Sequence, residues 1–145
     1  MRTGRNRRGN AFIEFALCLI LLNLIVTGLF QYGHSLFMYT RLQNAVRAGA
    51  RYASRRAYDS ASATPSQAYL TAVANATAYG DPAGGGTPLV PGLSPSHVAV
   101  TIRMSTVPEA VTVAIRGYTL RTFGLSYSLQ NKPRATFRYA GRFAP

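Results

Sequence analysis

Between Phe15 and Thr40 the chain carries no Asp, Glu, Lys or Arg, and His34 is the one imidazole in that run. Roughly 20 apolar residues suffice to cross a bilayer as a helix, so this run can span one with residues to spare. Four arginines, Arg2, Arg5, Arg7 and Arg8, precede Gly9, and one carboxylate, Glu14, stands at the start of the apolar stretch. A carboxylate in the membrane costs about 2.5–3.5 kcal/mol on insertion scales, so Glu14 calls for a partner. An ordinary signal-anchor helix, with Glu14 snorkelling to the interface, is the plainest alternative. A cleaved secretory signal fits poorly, because the apolar region is too long and no small-residue cleavage site follows it closely. Charge alone does not orient the helix, since Arg41, Arg47 and Arg51 follow the run as the leader arginines precede it.

With 145 residues, a membrane helix and its extension leave room for one small exported domain of about 90 residues. Cys18, the single cysteine, lies inside the apolar run, which rules out an intramolecular disulfide. The exported part is therefore held by packing alone or by neighbours. The formal net charge is +12, and Lys132 is the only basic residue that is not arginine. Such an excess favours anionic surfaces, namely headgroups, acidic polymers or an acidic partner. Nucleic acid competes on charge alone, but no aromatic-basic recognition motif accompanies the arginines.

Read in order, the chain predicts one continuous helix from about Ala11 to about Arg56, roughly 70 Å long. Phe30, Tyr32, Phe37 and Tyr39 fall where an outer aromatic belt belongs. Beyond them Leu42, Ala45, Val46, Gly49 and Ala53 share one helical face, with Arg47, Arg51 and Arg55 on the opposite side. Ala45, Gly49 and Ala53 are small residues at a spacing that permits a second backbone to approach closely. That backbone belongs either to the protein's own sheet or to another subunit. Thr64-Pro65-Ser66-Gln67 reads as a capping box opening a second helix, Pro65 to Tyr79, which ends at Gly80. Residues 80–96, rich in Gly and Pro, read as a flexible loop.

The last third reads as strands. Val98, Val100, Ile102 and Met104 alternate with polar or small residues, as do Val111, Val113 and Ile115, and then Ala135, Phe137 and Tyr139. Phe123, Leu125, Tyr127 and Leu129 alternate among polar neighbours, as either a fourth strand or a packed loop. One apolar and one polar face per strand suits an antiparallel sheet covered on one side. The expected fold class is α+β: a long N-terminal transmembrane and spine helix, a second short helix, and three to four antiparallel strands packed on the outer half of the long helix.

Two blocks carry a family resemblance. Arg8-Gly9-Asn10-Ala11-Phe12-Ile13-Glu14-Phe15 behind a basic leader resembles the prepilin signal of the type IV pilin superfamily. Arg41-Leu42-Gln43-Asn44-Ala45, followed by Arg47, Gly49-Ala50-Arg51-Tyr52-Ala53, is similar to the block that follows the membrane helix in TadE-like proteins, minor pseudopilins of the Tad/Flp tight-adherence pilus. The chain departs from that pattern in having Ala48 where a Glu is frequent, Gln31 where another carboxylate is frequent, and no proline before Pro65. The resemblance implies a basic leader, residues 1–9 with Arg5, Arg7 and Arg8, cut by a membrane prepilin peptidase between Gly9 and Asn10. It implies a transmembrane and spine helix over residues 10–57 and an exported domain over 58–145. It further implies that Glu14, next to Phe15, pairs with the new N-terminal ammonium of a neighbouring subunit, which makes physical sense because neither charge is tolerable alone in lipid. The implied location is the bacterial inner membrane, single-pass, N-terminus cytoplasmic and C-terminal domain exported, with a place in or at the tip of a pilus. The implied partners are the membrane, the prepilin peptidase, other pilin-like subunits and the Tad secretion machinery.

Nothing in the sequence assembles a catalytic centre. Apart from Glu14, the carboxylates are Asp59, Asp81 and Glu109, far apart in sequence. His34 and His97 have no Cys or His companions at metal-ligand spacing. The expected role is structural, without enzymatic activity, cofactor, metal, small-molecule substrate or specific nucleic acid: a subunit that primes, caps or joins a Tad-type filament. The rival reading is a single-pass envelope protein that binds anionic polymers or DNA through its arginines.

Overall fold

The computed structural model describes residues 7–122 and 125–144. The helix α1, Arg7–Arg55, runs unbroken for 49 residues, about 73 Å. With no proline before Pro65, nothing removes a helical hydrogen bond. Ser35 and Thr40 turn their hydroxyls back onto the carbonyls of Gln31 and Leu36, at 2.9 and 2.8 Å, which leaves the ladder intact. The C-terminal carbonyls of α1 have no partners within the helix, and tertiary donors supply them. The Tyr69 hydroxyl donates to the Ala53 carbonyl at 2.5 Å, and the Ala140 amide donates to that of Ser54 at 2.9 Å.

The helix α2, Gln67–Tyr79, starts two residues later than the sequence suggests. Its N-cap is Ser66, whose side chain accepts from the Tyr69 amide at 3.1 Å and donates to Asp59 Oδ2 at 2.6 Å. The Thr64 capping box is thus replaced by a Ser66 cap that Asp59 orients. Gly80 ends the helix in the left-handed region at φ 81°, its amide bonded to Ala76, a conformation that costs glycine nothing. Because α2 packs against both α1 and β1, most of its alanines are buried. This is how a segment with no charged residue is accommodated in the folded domain.

Three strands, β1 (Val98–Met104), β2 (Pro108–Thr122) and β3 (Leu125–Arg138), form an antiparallel sheet in the order β1-β2-β3. It is a meander that closes onto α1 through β2 and β3 and onto α2 through β1. The core joins Leu42, Val46, Ala50 and Ala53 of α1 to Tyr69 and Val73 of α2 and to Val111, Val113 and Ile115 of β2. The loop over 80–96 contributes Val90 and Leu93, both fully buried. Tyr118 also bonds the Pro91 carbonyl at 2.8 Å. The second half of this loop is therefore anchored, whereas the sequence reads as a flexible connection throughout.

Two long strands replace the shorter ones suggested by periodicity. β2 continues past Ile115 because Gly117, at φ 68°, forms a bulge that shifts the inward-facing set from Val111, Val113 and Ile115 to Tyr118, Leu120 and Thr122. The stretch around Tyr127 is not a fourth strand or a loop. It is the first half of β3, paired with the second half of β2. Phe123 of that stretch lies outside the described residues.

Candidate membrane and subunit interface

The apolar part of α1 stands clear of the folded domain. Its most apolar 18-residue window has a mean hydropathy of 2.3 and no buried residue. Phe12, Ile13, Phe15, Leu17, Leu24 and Leu29 are each more than 60% exposed, far more apolar surface than a soluble monomer leaves in contact with water. By length and composition this is a helix that can cross a membrane.

At the start of this surface, Gly9 and Asn10 are exposed and lie inside the first turns of α1. A Cβ added at Gly9 would meet nothing within 4 Å among the described residues. Glu14 is exposed one turn beyond Asn10 and on the same face. Among the described residues it has neither an ion-pair nor a hydrogen-bond partner. Phe15 beside it is 64% exposed. Arg7 and Arg8 belong to the first turn of α1, and Arg5 lies outside the described residues.

The block from Arg41 to Ala53 divides into two faces. Leu42, Ala45, Gly49, Ala50 and Ala53 are buried, with Gln43 and Tyr52 at the margin, while Arg41, Asn44, Arg47 and Arg51 are exposed. At Gly49 the small-residue face meets α2: a Cβ built there would fall 1.9 Å from Thr77 Oγ1 and 2.9 Å from Thr77 Cβ. The close approach at Gly49 is therefore an internal helix–helix contact. Arg47, Arg51 and Arg55 remain as an uncovered cationic stripe above the apolar surface. Arg41 lies with its guanidinium 5.4 Å from the centre of the Phe37 ring, one turn nearer the apolar run.

An aromatic cluster pins the chain's end to the top of α1. Tyr58 packs edge-on against Tyr69 and stacks on Phe143, and the Tyr139 hydroxyl donates to the Arg56 carbonyl at 2.9 Å. Burial raises the hydroxyl pKa values of Tyr58, Tyr69, Tyr118 and Tyr139, most of all that of Tyr69.

One part of the surface has no counterpart in the sequence reading. The far end of the β2–β3 hairpin descends along α1 into the apolar run, where Thr122 Oγ1 meets Ser35 Oγ at 3.2 Å. Since Ser35 spends its hydroxyl hydrogen on Gln31, Thr122 is the donor there. An open apolar groove of about 520 Å³ lies between this hairpin end and α1. Only the phase shift at Gly117 brings Leu120 to face it, and that shift hides the strand from a period-two search.

No curated protein and no solved structure matches the chain. The membrane-capable helix and its amphipathic continuation do have a match: residues 9–51 fit the family model described as TadE-like protein, so that stretch is similar to TadE-like proteins.

Proposed function

We propose that the chain is a non-catalytic, single-pass subunit of the bacterial inner membrane that takes part in priming, capping or building a Tad/Flp-type pilus. The observation that carries this reading is the combination of a TadE-like stretch over residues 9–51 with an exposed apolar helix whose one carboxylate, Glu14, has no partner among the described residues. A carboxylate at that depth needs an opposite charge. Cutting between Gly9 and Asn10 by a prepilin peptidase creates one, an ammonium on a neighbouring subunit. The exported domain then rides on the outer half of α1, with the Arg47, Arg51 and Arg55 stripe turned toward other subunits and the secretion machinery. Deleting the gene in a cell that builds such pili and counting filaments tests this. Pilus number should fall and return with the wild-type chain, whereas normal piliation without the protein would reject the role.

A second reading, binding of anionic envelope polymers, draws on the outward face of the sheet. The register sets Arg103, Ala110 and Arg138 in one row and Ala114 beside Arg134, with Arg116 and Arg121 further along, and all five arginines are exposed. Glu109, 3.2 Å from Arg103, is the single carboxylate on the strands. Binding that discriminates between polyanions and persists at moderate salt would favour it, because charge alone fades with salt.

A further inference from the structure

Asn23 lies at the middle of the bilayer, provided that α1 spans the membrane as proposed above. With Glu14 near the cytoplasmic face, a hydrocarbon core about 30 Å thick takes roughly 20 residues at 1.5 Å each and ends near Gly33. No water reaches a carboxamide at that depth. The Asn23 side chain is exposed, and its Oδ1 accepts one long hydrogen bond, 3.4 Å, from the Thr27 hydroxyl. Among the described residues nothing accepts from its two amide hydrogens. Donors left without an acceptor in hydrocarbon are costly, so the group calls for a partner outside its own helix.

Asn23 belongs to a stripe. Leu19, Asn23, Val26, Phe30, Gly33 and Phe37 follow one another at alternating spacings of four and three, which sets them on one side of α1, and all are exposed. Two open grooves run along it, one of about 380 Å³ beside Leu19 and Asn23 and one of about 540 Å³ beside Val26, Phe30 and Gly33. Glycine in such a seam lets a second backbone come close. The stripe faces away from Leu42, Val46 and Ala53, which hold the domain, so the domain leaves it uncovered. Glu14 precedes Asn23 by about two and a half turns and so lies on the opposite side of the helix.

A carboxamide is both donor and acceptor, and every copy of the chain holds Asn23 at the same depth. We propose that two copies pair in parallel along the Leu19–Phe37 stripe, their Asn23 carboxamides hydrogen-bonded to each other across a two-fold axis along the membrane normal. This contact differs from the Glu14 pairing. An ammonium on Asn10 meets a neighbour's Glu14 only when the two chains are offset by about four residues, roughly 6 Å, whereas Asn23 meets Asn23 at equal depth. Arg41 and Arg51 are exposed further along the same side, where like charges from two copies repel and confine the contact to the span. The pair leaves both Glu14 side chains turned outward toward other pilin-like subunits.

Cys18 is the single cysteine, so Cys18→Ser gives a background in which one cysteine at a time reports contact. Leu19→Cys and Val26→Cys lie on the stripe, and Leu21→Cys lies on the far side. The full-length variants are oxidised in native membranes with copper phenanthroline. Leu19→Cys and Val26→Cys should give a disulfide-linked species of twice the chain's mass, and Leu21→Cys should not. Asn23→Leu should lower that yield and weaken self-association of the purified chain in detergent, measured by sedimentation equilibrium, about 3- to 30-fold. Asn23→Gln, which keeps a carboxamide, should retain most of it, and Glu14→Gln should leave it unchanged. Equal linkage at 19, 21 and 26, or linkage at none, overturns the stripe. Wild-type association with Asn23→Leu overturns the carboxamide pair. Loss with Glu14→Gln makes this the Glu14 contact and overturns a separate one. Linkage only to a different protein assigns the stripe to another subunit and overturns the second copy. Labelling of Val26→Cys by a water-soluble maleimide in intact membranes overturns the span and the pair together, whereas protection from the label without linkage overturns the pair alone.

Discussion

Gly49→Ala asks whether the TadE-like block is built for internal packing. The added methyl would lie 1.9 Å from Thr77 Oγ1, 2.9 Å from Thr77 Cβ and 3.3 Å from Thr77 Cα. Rotating the threonine cannot relieve this. Its hydroxyl is tied to the Val73 carbonyl at 2.7 Å, its χ1 is restricted by β-branching, and the Cβ contact survives any rotation. α2 must move away from α1 by several tenths of an ångström. A radial gap of about 0.5–1 Å forfeits a quarter to a half of each dispersion contact across the seam. Overpacking of this kind costs about 1–3 kcal/mol, and a clash with a Cβ and a Cα belongs at the upper end. Helix propensity returns about 1 kcal/mol, because alanine is the better helix former. The net loss is then about 2 kcal/mol, which at roughly 4–8 °C per kcal/mol lowers Tm by about 8–16 °C for a domain of this size. Thermal unfolding of the intact chain in detergent, followed by the near-ultraviolet signal of the tyrosines, measures it. Combining Gly49→Ala with Thr77→Ala should recover part of the loss, a coupling that a double-mutant cycle isolates. A rise in Tm for Gly49→Ala would mean that propensity alone acts at position 49 and that the seam with α2 is not closely packed.

Other perturbations reach other parts of the account. Gly9→Leu meets open space, so the protein should insert normally yet keep residues 1–9, as read by intact mass of the membrane-extracted chain; normal cutting would contradict the assignment of Gly9. Tyr69→Phe strips the Ala53 carbonyl of its donor at the buried end of α1 and should cost about 1–3 kcal/mol in urea unfolding; an unchanged midpoint would show that the carbonyl finds another partner. Burial holds the protons of Tyr58, Tyr69, Tyr118 and Tyr139 more tightly in the folded state than the ordinary tyrosine value of 10.0. Their neutral forms are favoured by folding, so this contribution is complete below about pH 10 and is lost as pH rises toward the folded values. Unfolding midpoints recorded between pH 8 and 12 should fall above 10, and Tyr69→Phe should lessen that fall.

Local signals carried much of this architecture, and the misses have identifiable causes. The uncharged run from Phe15 to Thr40 predicts a long exposed helix because no soluble core of this size could hide it. The Leu42, Ala45, Gly49 and Ala53 face is legible by spacing, as are the β1 residues by alternation. What spacing does not say is who occupies the other side, and Thr77 of α2 proved to be the residue against Gly49. β2 is read too short because the bulge at Gly117 changes the parity of the inward residues. On β3, Tyr127, Leu129, Ala135 and Phe137 keep one parity throughout, but the intervening Asn131-Lys132-Pro133 reads as a break. These two effects conceal the full length of the hairpin, and with it the groove beside Tyr32 and Leu36. The Ser66 cap is missed because its orienting partner, Asp59, sits seven residues upstream.

The central claim is that Glu14 joins this chain to pilin-like neighbours through charge. Glu14→Gln keeps the shape of the side chain and removes its attraction for an ammonium. Quantifying the pilin-like proteins recovered with the tagged chain from native membranes, for wild type, Glu14→Gln and Glu14→Asp, tests this directly. Membrane insertion and cutting at Gly9 should be unaffected in all three. Recovery of partners and pilus formation should collapse for Glu14→Gln and be partly kept for Glu14→Asp. Wild-type recovery and piliation with Glu14→Gln would contradict the pairing and leave Glu14 without a role in assembly.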